Sequence, residues 1–414
     1  MDRREFIALR NRFLTAAQPI QSIEYLKGRE RVQTRLSDAL QSPGRHAFIY
    51  GYRGVGKSSL AQTVAFSLQD DTRSPVLTSC AEGSTFASVM KAVCSKALKA
   101  EVYGEGNNTY AVGANLAGLG GVNFSKGSQP SIPFPEIDSP DRAADLLHHA
   151  AKTDGATLFV LVDEFEWFTE AGERKKFASL LKQISDQHIQ VRFILCGIAD
   201  SVEGLFDAHE SVFRQMHTEK LDRLELQPRL DIINAAASAL QMTVPDGYKF
   251  RVAQISDGFP SFVHLLAEKI LTATYDADRT LVTPVDYDDG LRQAISSVGV
   301  TLGNTYDNTL HRNTKKYEHA IWAVASSNML VVSVDEVWRR YEEIVKELNV
   351  KAVSRKNINT KLVQLTGKDY GPLLKKPRRS NYEFKEKMMR AYARLRAEEA
   401  GMQLGVDASS EHGH

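Results

Sequence analysis

A glycine-rich segment between two apolar patterns constrains this chain most strongly. Residues 51–59 follow the pattern G-x-x-x-x-G-K-S. The run before it, 47–50, is apolar and indicates a buried strand, whereas residues 60–68 place apolar side chains at helical spacing. A strand, a glycine-rich loop and a helix in this order are typical of a loop that surrounds phosphate groups with backbone amides. We therefore predict that the chain binds a nucleoside triphosphate.

The loop contains each group that a bound triphosphate requires. Its glycines let the backbone close around the phosphates, Lys57 reaches the β- and γ-phosphate oxygens, and the Ser58 hydroxyl is a ligand for Mg²⁺. We therefore expect ATP and Mg²⁺ as cofactors and ADP as the product. The loop residues predicted to contact the nucleotide are Gly51, Tyr52, Arg53, Gly54, Val55, Gly56, Lys57, Ser58 and Ser59.

A second apolar run ends in two acids. Residues 158–162 are apolar and are followed directly by Asp163 and Glu164. Ligands of parallel α/β sheets bind at the carboxyl ends of the strands. We therefore predict that Asp163 holds Mg²⁺ together with Ser58, and that Glu164 polarises the attacking water. The alternative, two solvated acids after a strand, is disfavoured because the glycine-rich loop lies upstream.

Further apolar runs predict a parallel sheet wrapped by helices. Strands are expected at 76–78, 191–196 and 224–226, with helices between them. After the strand at 191–196, Asp200 and Ser201 fit either a γ-phosphate sensor or a helix cap, and we favour the cap. The fold class is therefore α/β, with a core at 1–227 that contains an inserted hairpin or flap at about 103–135.

Composition restricts the compartment and the number of domains. A chain of 414 residues is too long for one ordinary core, so two or three domains are expected. Its 43% hydrophobic and 25% charged residues are typical of a globular protein, and its net charge of +1 indicates no partner. Three cysteines without a Cys-x-x-Cys pair indicate buried thiols. With no signal peptide or membrane span evident, we expect a cytoplasmic protein.

The region after the core is helical and forms a predicted lid at 228–309. The turn Gly258–Pro260 precedes its third helix, where a proline in the first turn costs little. Before the lid, Arg214 lies between two elements near the expected sheet edge. It fits either an arginine that reaches the γ-phosphate of a neighbouring subunit or a solvated loop residue.

The C-terminal region predicts three helices, a hairpin and a last helix at 310–399, followed by a flexible tail at 400–414. This is the pattern of a winged helix-turn-helix domain. Residues 313–400 contain 19 Lys and Arg against 11 Asp and Glu, an excess of eight positive charges. In such domains the third helix enters the major groove and the hairpin contacts the backbone.

Basic residues of the third helix and the hairpin form a predicted surface for double-stranded DNA. The alternative is a solvated basic face on a domain that binds a partner protein. The residues are Arg355, Lys356, Lys361, Lys375, Lys376, Arg378 and Arg379.

Together these motifs resemble the AAA+ ATPases of the origin-recognition-like replication-initiator group and the related STAND NTPases. In that resemblance 51–59 is the Walker A loop and 158–164 the Walker B strand. The resemblance implies that Arg29 lies beside the adenine, that Arg214 is an arginine finger, and that Pro260 contacts the nucleotide. It also implies a homo-oligomer or a partner protein.

Two positions depart from the replication-initiator pattern. No arginine follows Gly258 closely, which is more similar to the Gly-x-Pro turn of STAND proteins, and no Asn ends the strand at Cys196. Two functions are therefore considered: an ATP-dependent switch that binds DNA, and a signalling or assembly ATPase whose winged helix binds a protein, for example in regulation or anti-phage defence.

Overall fold

The computed structural model describes residues 1–15, 18–71, 73–98, 101–102, 110–111, 136–198, 202–204, 210–311, 317–367 and 372–405. The chain groups into two compact units. The first, here the sheet unit, contains Pro19–Gly51 and Lys57–Leu221. The second, the helical unit, contains Met1–Gln18, Tyr52–Gly56 and Asp222–His414. Residues 1–18, which were predicted to be part of the core, therefore group with the lid.

The sheet unit is built on five strands whose pairings are all parallel, in the order β2-β5-β6-β1-β7. In a separate two-stranded antiparallel pair, β3 directly precedes the predicted insertion and β4 lies within it. The strands are β1 (His46–Tyr50), β2 (Val76–Ser79), β3 (Glu101–Val102), β4 (Tyr110–Ala111), β5 (Leu158–Asp163), β6 (Val191–Gly197) and β7 (Met216–Lys220).

Helices cover both faces of this sheet because strand side chains alternate between the faces. On one face Phe48, Val160 and Phe193 share a buried core with α4, α5 and α6. On the other face α3 packs against β1, β5 and β6. The helices of the unit are α2 (Glu30–Gln41), α3 (Lys57–Leu68), α4 (Phe86–Ala97), α5 (Pro140–Asp154) and α6 (Ala171–Asp186), and α1 (Arg3–Phe13) belongs to the helical unit.

The parallel α/β fold predicted from the sequence is confirmed, with one strand misplaced. The final strand is β7, and not residues 224–226 as predicted. Leu224 is buried, but its amide donates to the Gly258 carbonyl at 2.8 Å, so this apolar residue packs within the helical unit and does not extend the sheet. Leu226 already begins the next helix.

The helical unit begins with α1 and continues with the predicted lid. Phe6 of α1 stacks on Tyr275 with ring centroids 4.0 Å apart, and Arg10 donates to the Thr272 hydroxyl at 3.1 Å. The lid helices are α7 (Leu226–Ala239), α8 (Asp246–Ile255), α9 (Pro260–Asp276) and α10 (Pro284–Val298), followed by α11 (Asn304–His311).

The C-terminal part of the helical unit has the predicted order of elements. A three-stranded antiparallel sheet, β8-β10-β9, accompanies three helices. The last helix packs against both this part and α10 of the lid. The elements are α12 (Glu318–Ser326), β8 (Val332–Ser333), α13 (Val334–Glu347), α14 (Arg355–Gln364), β9 (Leu374–Arg378), β10 (Asn381–Phe384) and α15 (Met389–Glu399).

Several predictions concern residues outside the described part of the chain. These are the interpretation of Asp200 and Ser201, most of the insertion at 103–135, and the tail beyond residue 405. Among the helices that are described, none combines the length and the apolar character needed to cross a membrane.

Candidate functional site

The glycine-rich loop adopts backbone conformations that favour glycine. The φ angle is +79° at Gly54 and +94° at Gly56, a region that side chains with a Cβ adopt at a cost. Helix α3 begins at Lys57, directly after the loop. The first amides of a helix have no partner within it, and the helix dipole adds positive character there. The loop therefore joins the helix end that favours a bound anion.

Lys57 and Asp163 both lie near the carboxyl end of β6. Cys196, near the end of this strand, pairs in register with Ile49 of β1. Burial raises the pKa of the Cys196 thiol well above its ordinary value, Asp163 raises it further, and Lys57 opposes the rise. Both charges thus act on the same thiol. Since β6 separates β1 from β5, the two strand ends are about 10 Å apart, two strand spacings.

The acid pair sits at a strained strand end. Asp163 is the last residue of β5, and its Oδ1 accepts a hydrogen bond from the Glu164 amide at 2.8 Å. Glu164 has a φ of +54°, which costs a residue other than glycine about 1–2 kcal/mol. Conformations of this kind persist where the surrounding structure holds them, often at functional sites.

Magnesium fits the donor groups of this site. Ser58 lies in the first turn of α3, and Asp163 ends β5. A hydroxyl and a carboxylate are oxygen donors of the type that Mg²⁺ prefers, and Mg²⁺ is usually bound by one or two side chains together with substrate phosphates. The Lys57 ammonium donates to the Gly51 carbonyl at 3.1 Å, so the end of this side chain lies beside the first residue of the glycine-rich loop.

Within the helical unit, the tip of the loop contacts residues far along the chain. Ser261 donates to the Gly54 carbonyl at 3.5 Å. A Cβ built on Gly54 would lie 2.6 Å from the Met388 sulfur, and one on Gly56 would lie 3.8 Å from Pro260. Pro260 therefore lies beside the loop, and its contact with a nucleotide stays a prediction, whereas Ser261 and Met388 were not predicted. No local motif marks them, because their contact depends on how distant helices pack.

Three further predicted nucleotide residues have distinct environments. The Ser59 hydroxyl accepts a hydrogen bond from the Ile20 amide at 3.1 Å, so this side chain anchors the segment before α2. Arg29 is buried, with 7% of its surface exposed, at the start of α2. Arg214 is exposed at the end of the 3₁₀ helix Glu210–Arg214, directly before β7.

Most of the predicted DNA residues are exposed. Lys375 and Lys376 lie on β9, with Lys375 paired to Glu383 at 3.0 Å. Arg355 begins α14 and binds Asp335. The other exposed members of this set are Lys356, Arg378 and Arg379.

Lys361 differs from the rest of the set. It is three positions after the buried Ile358 and shares its inward face of α14, which leaves 2% of its surface exposed. Its ammonium lies 5.3 Å from the Tyr317 ring centre, and burial lowers the pKa of Lys361 to about 8. A buried ammonium cannot contact a DNA phosphate, so the prediction that Lys361 binds DNA is wrong.

Comparison with known proteins agrees with the geometry. Residues 25–195 match the family profile described as the AAA ATPase domain. These residues are therefore similar to an AAA ATPase domain. The AAA+ assignment made from the sequence is thereby confirmed, and the matched range includes both the glycine-rich loop and the acid pair. No curated protein matches the chain.

Solved structures similar to this chain include a Walker-type ATPase, Cdc6p and an ORC1 protein. The Walker-type ATPase of Pyrococcus abyssi has 15% identity and a TM-score of 0.51, over 92% of this chain and 99% of that one. Cdc6p of Pyrobaculum aerophilum has 13% identity and a TM-score of 0.45, over 97% and 98%. The ORC1 protein of Aeropyrum pernix, solved in complex with DNA, has 15% identity and a TM-score of 0.46, over 94% of this chain and 96% of that one. The likeness to the Pyrococcus abyssi ATPase concerns the fold alone.

Proposed function

We propose that this protein is an ATP-dependent switch that hydrolyses ATP and binds double-stranded DNA through its C-terminal region. The observation that carries the ATPase part is the placement of Lys57 and Asp163 near the end of β6. Lys57 donates to the Gly51 carbonyl at 3.1 Å, and the Gly51 amide donates to Gly197 of β6 at 3.3 Å, whereas Asp163 follows Val162, the register partner of Leu195. A loop with glycines at positive φ and the start of α3 complete the surroundings of a triphosphate.

Each residue of the site has a role in the proposed reaction. Lys57 and the α3 amides bind the β- and γ-phosphates and stabilise the charge that develops during transfer. Ser58 and Asp163 would hold Mg²⁺, which neutralises phosphate charge when bound. Glu164 orients the attacking water and accepts its proton. Arg214 is exposed, which suits an arginine that acts on the site of a neighbouring subunit.

The ATPase proposal is tested by nucleotide affinity. Lys57→Ala is expected to weaken ATP binding about 10- to 100-fold, because a charge-assisted hydrogen bond contributes about 1.5–3 kcal/mol. Isothermal titration of ATP with Mg²⁺ measures this. Lys152→Ala, at an exposed lysine of α5, is the matched control and keeps the affinity of the parent. Unchanged affinity in Lys57→Ala contradicts the proposal.

The DNA-binding part rests on the C-terminal surface. Three helices followed by an antiparallel hairpin support a winged helix, for which we assign α14 as the recognition helix and β9–β10 as the wing. Exposed basic residues occupy both elements, with Lys356 on α14 and Arg378 and Arg379 at the hairpin. Such a surface neutralises phosphates on two neighbouring parts of a duplex.

A signalling or assembly ATPase is the second candidate, and one observation favours it. Met388, from the C-terminal part, lies against the tip of the nucleotide loop in the helical unit, as do Pro260 and Ser261. A C-terminal part that contacts the loop can change position with the nucleotide without any DNA. Size-exclusion chromatography with ATP, with ADP and without nucleotide, each with and without duplex DNA, separates the candidates. ATP-dependent oligomers that form without DNA, in a protein that binds no DNA, support the second.

A further inference from the structure

A cavity in the helical unit lies apart from the nucleotide loop and the acid pair. It has a volume of about 340 Å³ and lies between the segment that leads into α7, the end of α8, and α15. Its walls include Arg223, Arg229, Phe250, Gln254, Asp257 and Arg394. Three guanidinium groups thus border one space of this size. Arg394 is buried and the other two are half-buried, and buried charge requires a compensating partner.

Two of the three arginines retain donors after their own hydrogen bonds are counted. Within the described part of the chain, Arg223 donates only from Nη1, to the carbonyl and the carboxylate of Asp257. Arg229 donates from Nε to the Glu225 carbonyl at 3.0 Å and from Nη1 to Ala253. The Nη2 groups of both arginines therefore have hydrogen atoms left to donate, and both side chains line the cavity.

Arg394 contributes mainly charge. Its nitrogens donate to the carbonyls of Ala325, Gln254 and Ser327 at 2.8, 2.8 and 3.0 Å, which fixes the guanidinium against the cavity wall. The side chain is only 3% exposed. Burial is the main cause that lowers the pKa of Arg394, to about 10, and the neighbouring guanidiniums lower it further.

Among the residues that the structure describes, the positive charges around the cavity exceed the negative charges. Asp257 accepts from Arg223 and Arg390 and lies 3.5 Å from Arg394. Glu225 is the other acid that lines the cavity, and its side chain is exposed. Among the described residues, four guanidiniums, including that of Arg229, thus lie in or beside the cavity wall with two carboxylates, those of Asp257 and Glu225. An anion in the cavity would offset this excess, and the low local dielectric would make its attraction strong.

We propose that this cavity, the arginine cavity, binds a phosphate-type anion, either free orthophosphate or the phosphate group of a small metabolite. A tetrahedral anion accepts from several planar guanidiniums at once, which suits the donors of Arg223 and Arg229. The cavity volume exceeds that of orthophosphate and falls in the range of small-molecule sites. Phe250, 38% exposed at the wall, offers an apolar surface to the organic part of a larger ligand.

The test uses the full chain with Lys57→Ala, so that the nucleotide loop does not dominate phosphate binding. Isothermal titration measures the affinity for inorganic phosphate and, in a second arm, for ribose 5-phosphate. In this background Arg223→Gln and Arg229→Gln are each expected to weaken binding about tenfold or more, the effect of one charge-assisted hydrogen bond. Arg292→Gln, at an exposed arginine of α10, is the matched control and changes nothing.

Glu225→Gln makes the test independent of folding defects, because this side chain is exposed. Removing its charge beside the cavity is expected to strengthen phosphate binding about twofold. Tighter binding of ribose 5-phosphate than of phosphate assigns the site to a phosphorylated metabolite, and equal binding assigns it to the free ion. No binding in the Lys57→Ala background, or affinities that none of the three cavity variants changes, overturns the proposal and leaves the ATPase proposal untouched.

Discussion

Asp257 is the most heavily paired acid described in the helical unit, and its removal is expected to be costly. Its side chain is 4% exposed. Arg390 binds both carboxylate oxygens, with Nε to Oδ2 at 2.7 Å and Nη2 to Oδ1 at 2.5 Å. Arg223 adds a third bond at 2.6 Å. Asp257→Asn keeps the size of the side chain and removes only its charge.

The expected loss is about 3–5 kcal/mol of unfolding free energy. Removing one partner of a buried ion pair leaves the other charge desolvated and uncompensated, and this costs about 3–5 kcal/mol. Here Arg390, 2% exposed, and Arg394, 3% exposed, would both lose their acid. Because these groups are buried, moderate salt screens the effect little.

Urea unfolding followed by tryptophan fluorescence measures this loss. Trp322 and Trp338 belong to the helical unit, so Trp167→Phe confines the signal to that unit. The matched control is Asp289→Asn, whose acid is 51% exposed and pairs with Arg292 on the surface. Its effect is expected to stay within about 0.5 kcal/mol. A loss below about 1 kcal/mol in Asp257→Asn would refute the reasoning.

The pH dependence of the same variant has a definite sign. Burial alone would raise the pKa of Asp257, but Arg394, Arg390 and Arg223 outweigh it, so the folded-state pKa lies below the ordinary value. A carboxyl with a lowered folded-state pKa adds stability at every pH above its unfolded pKa of about 3.9. This contribution is lost as pH falls through the folded-state pKa. The stability difference between parent and Asp257→Asn is therefore constant from pH 5 to 7 and shrinks only below about pH 4.

Three further outcomes are expected. Glu164→Gln keeps ATP affinity but lowers turnover about 10²-fold or more, measured as phosphate release, and turnover that survives shows that another residue positions the water. Arg378→Glu with Arg379→Glu weakens duplex binding for all DNA sequences, measured by fluorescence anisotropy, and reduces the slope of log affinity against log salt concentration by about two. The control Lys361→Met, at a buried lysine, leaves this slope unchanged. A slope that the double variant does not alter contradicts the DNA proposal. Gly258→Ala destabilises by about 2–3 kcal/mol in thermal unfolding, since φ is +81° and its Cβ would lie 2.8 Å from the Leu224 carbonyl oxygen; an unchanged melting temperature disproves the steric argument.

The local parts of the site were predictable from the sequence. Residues 51–59 and the acids after β5 carry their chemistry in short motifs, and the apolar runs around them predicted the parallel sheet. Periodicity also predicted the helix that Ser354 caps, where the side chain accepts from the Asn357 amide at 3.4 Å. In each case neighbouring residues in the sequence determine the structure.

The remaining features depend on packing between distant segments. Leu224 has the apolar character of a strand residue, yet its backbone pairs with Gly258. Lys361 is basic on a predicted recognition helix, but the helix phase turns it inward. The pairing of Asp257 with Arg390 joins residues 133 positions apart, and no short pattern marks either of them. Charge counts alone therefore overestimated the exposed basic surface.

The interleaved make-up of the helical unit has a consequence for synthesis on the ribosome. Its first helix, α1, precedes the sheet unit in the sequence, and α15 follows almost 400 residues after α1, whereas the sheet unit is complete at Leu221. Domains fold as their residues emerge from the ribosome. The stacking of α1 on Tyr275 therefore forms only after Tyr275 is synthesised, and the ion pair of Asp257 only after Arg390 is synthesised. In nascent chains that end between residues 257 and 390, Asp257 lacks its partners Arg390 and Arg394, so the helical unit is incomplete. Such incomplete chains are the form that a chaperone or protease would encounter.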